Sequence, residues 1–279
     1  MPLTLAAMLL ATLPFDPALA ADEPPIGLVI VTPPGIELGK DGARYVDELV
    51  TLVSKSMGLG PGELVGFAFS DPSAAAQKIA SMPDGFVLGS LGFFTAHRTA
   101  LGLRPLLAIE RADAEPESYR VVVKKGRFET LASLAGKRLA GSPLYEAPRF
   151  IDVAAFDGAL TAATHFVLKP TTRPLREVRG LASDKVDAVL LDAAQFASLK
   201  ALPLFESLAV VHTSQPIPSL GLMARDSERS KALGPKMIEA AQALCAHGEG
   251  QSLCKSFGIA GFDKVDQAAI DGFVKKLEQ

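Results

Sequence analysis

The chain has 279 residues, of which 48% are hydrophobic, and its 28 Lys and Arg against 31 Asp and Glu give a formal net charge of −3. That length allows either one large α/β domain or two smaller lobes, each with its own hydrophobic core. The slightly acidic balance excludes a chain-wide basic surface for nucleic acid, and the absence of Trp argues against a broad aromatic stacking platform.

The N-terminus has the pattern of an exported protein. An apolar run over residues 3–13 is too short to span a bilayer, and two prolines and the small-residue site Ala18-Leu19-Ala20 follow it. We therefore expect a signal peptide over residues 1–20 and a periplasmic mature protein. No Lys or Arg precedes Lys40, so the usual positive start of such a peptide is missing.

The first half of the mature chain alternates between strand and helix patterns. Strands are predicted over residues 26–31, 64–69, 85–89 and 106–110, and helices around 46–57, 74–82 and 91–101. Three successive strand–helix units place three helix N-termini at the carboxyl edge of one sheet, where open α/β folds bind ligands.

A polar stretch from Arg111 to Glu117 then marks a crossing into a second lobe. Further strands are predicted over residues 119–123, 137–140, 166–168, 186–191, 208–211 and 220–224, and helices over 129–134, 149–156, 176–181, 231–245 and 267–277. We expect residues 22–111 and 226–279 to form lobe 1 and residues 112–225 to form lobe 2.

The only two cysteines, Cys245 and Cys254, flank a turn-rich stretch at residues 247–250. An even, closely spaced pair in an exported chain predicts a local disulfide. The alternative is a metal site that adds His247, but a fourth ligand is not visible and the spacing matches no zinc pattern. We expect neither a metal nor a cofactor.

This order of segments resembles the phosphate-, phosphite- and phosphonate-binding branch of the type II periplasmic binding proteins that serve ABC transporters. The resembling segments are residues 27–31 with the following helix, 84–94, 118–123, 133–138, 185–188 and 213–225. The resemblance implies two α/β lobes, each a mainly parallel sheet flanked by helices, that close on a small molecule between them. It also implies a monomer that delivers its ligand to an inner-membrane transporter.

The resemblance places the ligand between the lobes, where hydroxyl groups and helix N-termini attract an anion. Ser70 and Ser90 serve equally well as helix caps, and residues such as Phe93 and Phe94 belong more often to a core. The candidate ligand-binding residues are Ser70, Ser90, Leu91, Phe93, Phe94, Tyr119, Ser142, Tyr145, Gln195, Thr213 and Ser214.

Two segments depart from the family pattern. Prolines replace hydrogen-bond donors in residues 141–148 and again in residues 169–174, and Glu146 would repel an anion. These departures favour an apolar or amphipathic ligand such as a lipid or a sterol-like molecule. The alternative is a phosphate or phosphonate oxyanion carried to an ABC importer.

A sensory binding lobe and an enzyme are further alternatives. The sequence contains no nucleophile elbow, Walker loop or zinc-protease helix, and its four histidines lie in different predicted elements. We therefore assign no catalytic residue.

Overall fold

The computed structural model describes residues 23–32, 42–112, 115–246 and 248–279. The predicted signal peptide lies outside these residues. The described residues form two β-sheets flanked by helices, which confirms the α/β class and the two-lobed architecture.

The first sheet has six strands in the order β11-β4-β10-β3-β1-β2. Its strands are β1 (Ile26–Val31), β2 (Leu64–Phe69), β3 (Gly85–Leu88), β4 (Leu103–Arg111), β10 (Leu222–Arg225) and β11 (Ile259–Lys264). Its helices are α1 (Gly42–Met57), α2 (Pro72–Ala80), α3 (Leu91–Leu101), α8 (Glu228–Leu244), α9 (Gly248–Ser256) and α10 (Gln267–Glu278).

The second sheet has five strands in the order β7-β6-β8-β5-β9. Its strands are β5 (Arg120–Lys124), β6 (Arg138–Gly141), β7 (Val167–Pro170), β8 (Ala188–Leu191) and β9 (Leu208–Thr213). The associated helices are α4 (Pro148–Phe156), α5 (Ala162–His165), α6 (Pro174–Ala182) and α7 (Ala193–Lys200), with 3-10 helices at Ala132–Leu134, Pro143–Tyr145 and Pro203–Ser207.

Both sheets are mixed, whereas the resemblance implied mainly parallel sheets. In the first sheet β1 pairs in parallel with β2 and β3, but β10 and β11 pair antiparallel with their neighbours. In the second sheet β5 pairs antiparallel with both β8 and β9. The reason is connectivity, because the chain leaves one sheet through β4 and returns from the other into β10.

The C-terminal region contains two elements that the sequence pattern did not reveal. Residues 248–250 begin helix α9, where a turn was predicted, and β11 follows it. Strand β11 has three apolar residues of six that do not alternate with polar ones, and its pairing with β4 is long-range. The predicted disulfide is confirmed, since Cys245 and Cys254 are bonded and join the end of α8 to α9. His247 lies outside the described residues.

The cores of the two sheets are continuous. One cluster of buried side chains includes Val87 in β3 of the first sheet and Val121 in β5 of the second sheet. The rings of Phe150 in α4 and Phe273 in α10 meet edge-to-face at 5.6 Å. This packing joins the two sheets beside the space between them.

Candidate functional site

A cavity of about 120 Å³ lies between the two sheets. It is bounded by the first turn of α3, the end of β4, the segment after β6, the start of α7 and the two segments that cross between the sheets. The lining residues are Ser90, Leu91, Gly92, Ile109, Arg111, Glu117, Tyr119, Ser142, Pro143, Glu146, Phe150, Asp192, Ile217, Pro218, Ser219 and Leu220.

The N-terminus of α3 opens into this cavity. Ser90 has extended backbone angles and caps the helix, with its Oγ accepting the Phe93 N–H at 3.0 Å. The amides of Leu91 and Gly92 have no partner within the helix, because the first turn lacks preceding helical carbonyls. These amides and the helix dipole give the position a partial positive charge.

The carboxylate of Glu146 lies at this helix N-terminus. Glu146 follows the 3-10 helix Pro143–Tyr145, so it comes from the second sheet. Ser90 Oγ donates a hydrogen bond to Glu146 Oε1 at 2.9 Å, and a methyl group added at Gly92 would collide with the carboxylate. Burial raises the pKa of Glu146, and the hydrogen bond from Ser90 offsets part of that rise.

The N-terminus of α7 faces the cavity from the second sheet. Asp192 caps it in a reciprocal arrangement with Gln195, with Asp192 Oδ1 accepting the Gln195 N–H at 2.8 Å. Glu117 accepts the backbone N–H of Ala193 and pairs with Arg111, whose Nε lies 3.3 Å from Glu117 Oε2. Burial raises the pKa of Glu117, and the charge of Asp192 adds to the rise.

Tyr119 lines the same cavity and is only 7% exposed. Its hydroxyl forms no hydrogen bond with another described residue. Burial raises its pKa well above the ordinary value, and the charges of Glu117, Glu146 and Asp192 raise it further. The phenol therefore keeps its proton and presents a free donor to the cavity.

The structure brings four of the sequence candidates together in the cavity wall: Ser90, Leu91, Tyr119 and Ser142. Gln195 supports the wall from behind, because its Nε2 donates to Ser142 Oγ at 2.6 Å. Ser214 is buried in a crossing segment, where its Oγ accepts the Tyr119 N–H at 2.9 Å.

The other candidates lie outside the cavity. Phe93 and Phe94 turn into the core, at 3% and 4% exposure, because they follow the cavity-facing turn of α3. Ser70 is exposed before α2, Tyr145 is 44% exposed, and Thr213 is exposed at the end of β9.

The sequence candidates did not include Arg111 and Glu117, and Glu146 was considered only as a source of repulsion. Arg111 and Glu117 delimit the polar stretch that was predicted to cross between lobes. Because crossing segments of a two-lobed fold run along its cleft, that position was the available signal.

Among residues 23–32, 42–112, 115–246 and 248–279, no three His, Cys, Asp or Glu side chains converge where a metal ion could bind. In the same part of the chain, every helix is too short or too polar to cross a membrane.

The sequence profile of a family described as "ABC transporter, phosphonate, periplasmic substrate-binding protein" matches residues 84–270, which include every residue that lines the cavity. A comparison with curated proteins finds no significant match.

Several solved structures share the fold. XAC2383 from Xanthomonas citri, bound to ATP, superposes with a TM-score of 0.70 and 14% identity over 92% of this chain and 98% of that one. PhnD1 from Prochlorococcus marinus, in complex with methylphosphonate, gives a TM-score of 0.64 and 15% identity over 91% and 98%. A phosphonate-transporter binding protein from Pseudomonas aeruginosa gives 0.63 and 13% over 92% and 88%.

These findings do not support the predicted lipid or sterol ligand. The cavity of about 120 Å³ is well below the roughly 300–1,000 Å³ typical of pockets for drug-sized ligands, and half of its lining residues carry a charged or hydroxyl side chain. Because the family profile covers more than half of the sequence, the chain belongs to the periplasmic substrate-binding proteins of phosphonate ABC transporters.

Proposed function

We propose that the protein captures a small phosphorus oxyanion of the phosphonate class in the cavity between the two sheets and delivers it to its membrane transporter. The observation that carries this proposal is the N-terminus of α3. Ser90 and the amides of Leu91 and Gly92 provide the hydroxyl and N–H donors that an oxyanion requires.

The surrounding donors fit the same ligand class. The free hydroxyl of Tyr119 and the hydroxyl of Ser142 line the wall on the side of the second sheet. Two of the cavity carboxylates are already held, Glu117 by Arg111 and the Ala193 N–H, and Asp192 as a helix cap. A phosphonate that also carries an ammonium group would suit both the donors and this acidic surrounding.

We further propose that the protein acts by lobe closure, without catalysis and as a monomer. The lobes would be residues 22–111 with 226–279, and residues 112–225. The two crossing segments are hydrogen-bonded to each other, from Ile217 N to Glu117 O and from Ser214 N to Tyr119 O, each at 2.9 Å. Paired segments of this kind allow rotation about a common axis while the cavity walls stay intact.

Titration calorimetry on the protein purified from the periplasm tests the proposal. Methylphosphonate, 2-aminoethylphosphonate and inorganic phosphate are the probes, and we expect at least one phosphonate to bind with a Kd of about 1 μM or tighter. Copurification of a lipid, without binding of any of these anions, would contradict it.

A matched pair of substitutions identifies the donor. Ser90→Ala removes the α3 cap, and Ser227→Ala removes the equivalent cap of α8, where Ser227 Oγ accepts the Ser230 N–H. We expect phosphonate affinity to fall by about tenfold or more in S90A, because a hydrogen bond to a charged group is lost, and to stay unchanged in S227A. Equal affinities of the two variants would exclude the α3 site.

A further inference from the structure

Glu146 occupies the place on α3 that an anionic ligand would take. Its Oε1 accepts the Ser90 hydroxyl at 2.9 Å, and its carboxylate packs against Gly92 in the first turn. A carboxylate is itself an oxyanion, with two acceptor oxygens on one carbon. The Glu146 side chain thus makes the contacts with Ser90 and Gly92 that we expect of a bound anion.

We propose that Glu146 lowers the affinity of the cavity for anions, because its carboxylate holds the oxyanion position in the unliganded protein and any anionic ligand must displace it. This inference rests on the proposed function. The displacement weakens the binding of every anion by the same factor, so only an anion that also reaches the donors beyond Ser90 binds tightly.

The hydrogen-bond partners of Glu146 indicate that it is displaceable. Glu117 is fixed by the Arg111 guanidinium and by the Ala193 N–H. The only hydrogen bond to the Glu146 side chain from a described residue comes from the neutral hydroxyl of Ser90. No positively charged residue pairs with Glu146 among the described residues. Moving this carboxylate away from α3 therefore breaks one hydrogen bond from a neutral hydroxyl and no ion pair.

Tyr119 is an independent indication that a ligand completes this site. Its side chain is more than nine-tenths buried and lines the cavity, yet its hydroxyl lacks a hydrogen-bond partner among the described residues. The hydroxyl oxygen is reached from the cavity, where an incoming group can accept its hydrogen bond. A larger oxyanion seated on α3 would supply one, which the Glu146 carboxylate does not.

The test compares Glu146→Gln with Glu177→Gln. Glu177 is the control because it pairs with Lys169 outside the cavity. E177Q therefore removes the same charge from the chain as E146Q without changing a contact at α3. Methylphosphonate and sulfate are titrated by calorimetry into wild type and both variants. We expect E146Q to bind both anions about tenfold more tightly than wild type, and E177Q to match wild type.

Glu146→Asp provides a second variant in case E146Q folds poorly. It keeps the charge but shortens the side chain by one methylene, which withdraws the carboxylate from Ser90. We expect a smaller gain in affinity for both anions. A carboxylate that instead contacts the bound ligand would make both substitutions weaken binding, and that result would overturn the inference.

The outcomes separate this inference from the proposed function. Gain of sulfate binding by E146Q, without phosphonate binding by any variant, would support the role of Glu146 and contradict the phosphonate ligand. Phosphonate binding that is equal in wild type, E146Q and E177Q would support the proposed function and overturn the inference. Absence of binding of both anions in every variant would overturn both.

Discussion

The N-termini of α3 and α7 both border the cavity, and the carboxylates at these two positions have different partners. At α7, Asp192 and Gln195 form a reciprocal cap, and Glu117 bonds the Ala193 N–H while pairing with Arg111. At α3, one hydroxyl, that of Ser90, both caps the helix and holds Glu146. The carboxylates at α7 have charged or reciprocal partners, whereas Glu146 at α3 has one neutral partner, which is why we propose α3 rather than α7 as the binding position.

The largest expected effect concerns the α7 junction. Arg111→Met leaves the Glu117 carboxylate without its cation in a partly buried place, so we expect the free energy of unfolding at neutral pH to fall by about 2 kcal/mol. Urea denaturation measures the change. Adding Glu117→Gln to R111M removes the unpaired charge and should restore most of the stability. No rescue in the double variant would mean that Arg111 stabilises the fold by packing instead.

A smaller effect is expected from Gln195→Ala. This change removes the reciprocal bond to the Asp192 N–H and the bond from Gln195 Nε2 to Ser142 Oγ, so we expect a loss of about 1 kcal/mol. Gln267→Ala is the control, since that side chain makes an exposed bond to Asp271 at the start of α10. Equal losses in the two variants would show that the α7 cap is no stronger than a surface contact.

The smallest expected effect is a pH dependence of the free energy of unfolding, which comes from Glu146 at the N-terminus of α3. Burial raises the pKa of Glu146 above its ordinary value of 4.5, and the cavity around it also holds Arg111, Tyr119, Glu117 and Asp192. The folded chain therefore binds the proton of the Glu146 carboxyl group more tightly than the unfolded chain does. Its contribution to stability is complete below the ordinary pKa and is lost as the pH rises through the raised one.

E146Q is neutral at every pH and avoids that loss. We therefore expect its free energy of unfolding, relative to wild type, to increase as the pH rises from about 4 to about 7. Urea titrations at a series of pH values measure this difference. A flat difference would mean that folding leaves the pKa of Glu146 unchanged, and a falling difference would mean that α3 stabilises the ionised carboxylate.

Asp187→Asn should show the opposite slope. Burial alone would raise the pKa of Asp187, but hydrogen bonds from Arg138 and the charges of Arg138 and Arg127 outweigh it and lower the pKa. Its contribution to stability is present above the ordinary pKa and is lost as the pH falls. D187N should therefore lose more stability, relative to wild type, at neutral pH than at low pH.

The local elements were largely predictable from the sequence. The bounds of β1 and β2 match the predicted strands, and α3 begins directly after its predicted cap at Ser90. Residues within these segments carry the apolar period or the capping group themselves. Strand β11 was not predicted because it is stabilised by its pairing with β4, which is distant in sequence.

The candidate site was predictable only in part. Ser90 and Tyr119 were identified from their places at the edges of predicted elements, and both line the cavity. Phe93 was a candidate by its proximity to Ser90, but its side chain packs into the hydrophobic core at 3% exposure. Sequence proximity does not specify the side of a helix that faces the cleft.

The sequence by itself determined the α/β class, the disulfide pair, the first three strand–helix units and the hydroxyl at the start of α3. These features depend on periodicity, capping and spacing, which are local properties of the chain. Only the tertiary structure decided that Glu146 lies on α3 and Glu117 on α7. The contact between Ser90 and Glu146 joins residues from two different sheets, and it exists only because the packing of those sheets brings the carboxylate to the positive end of that helix.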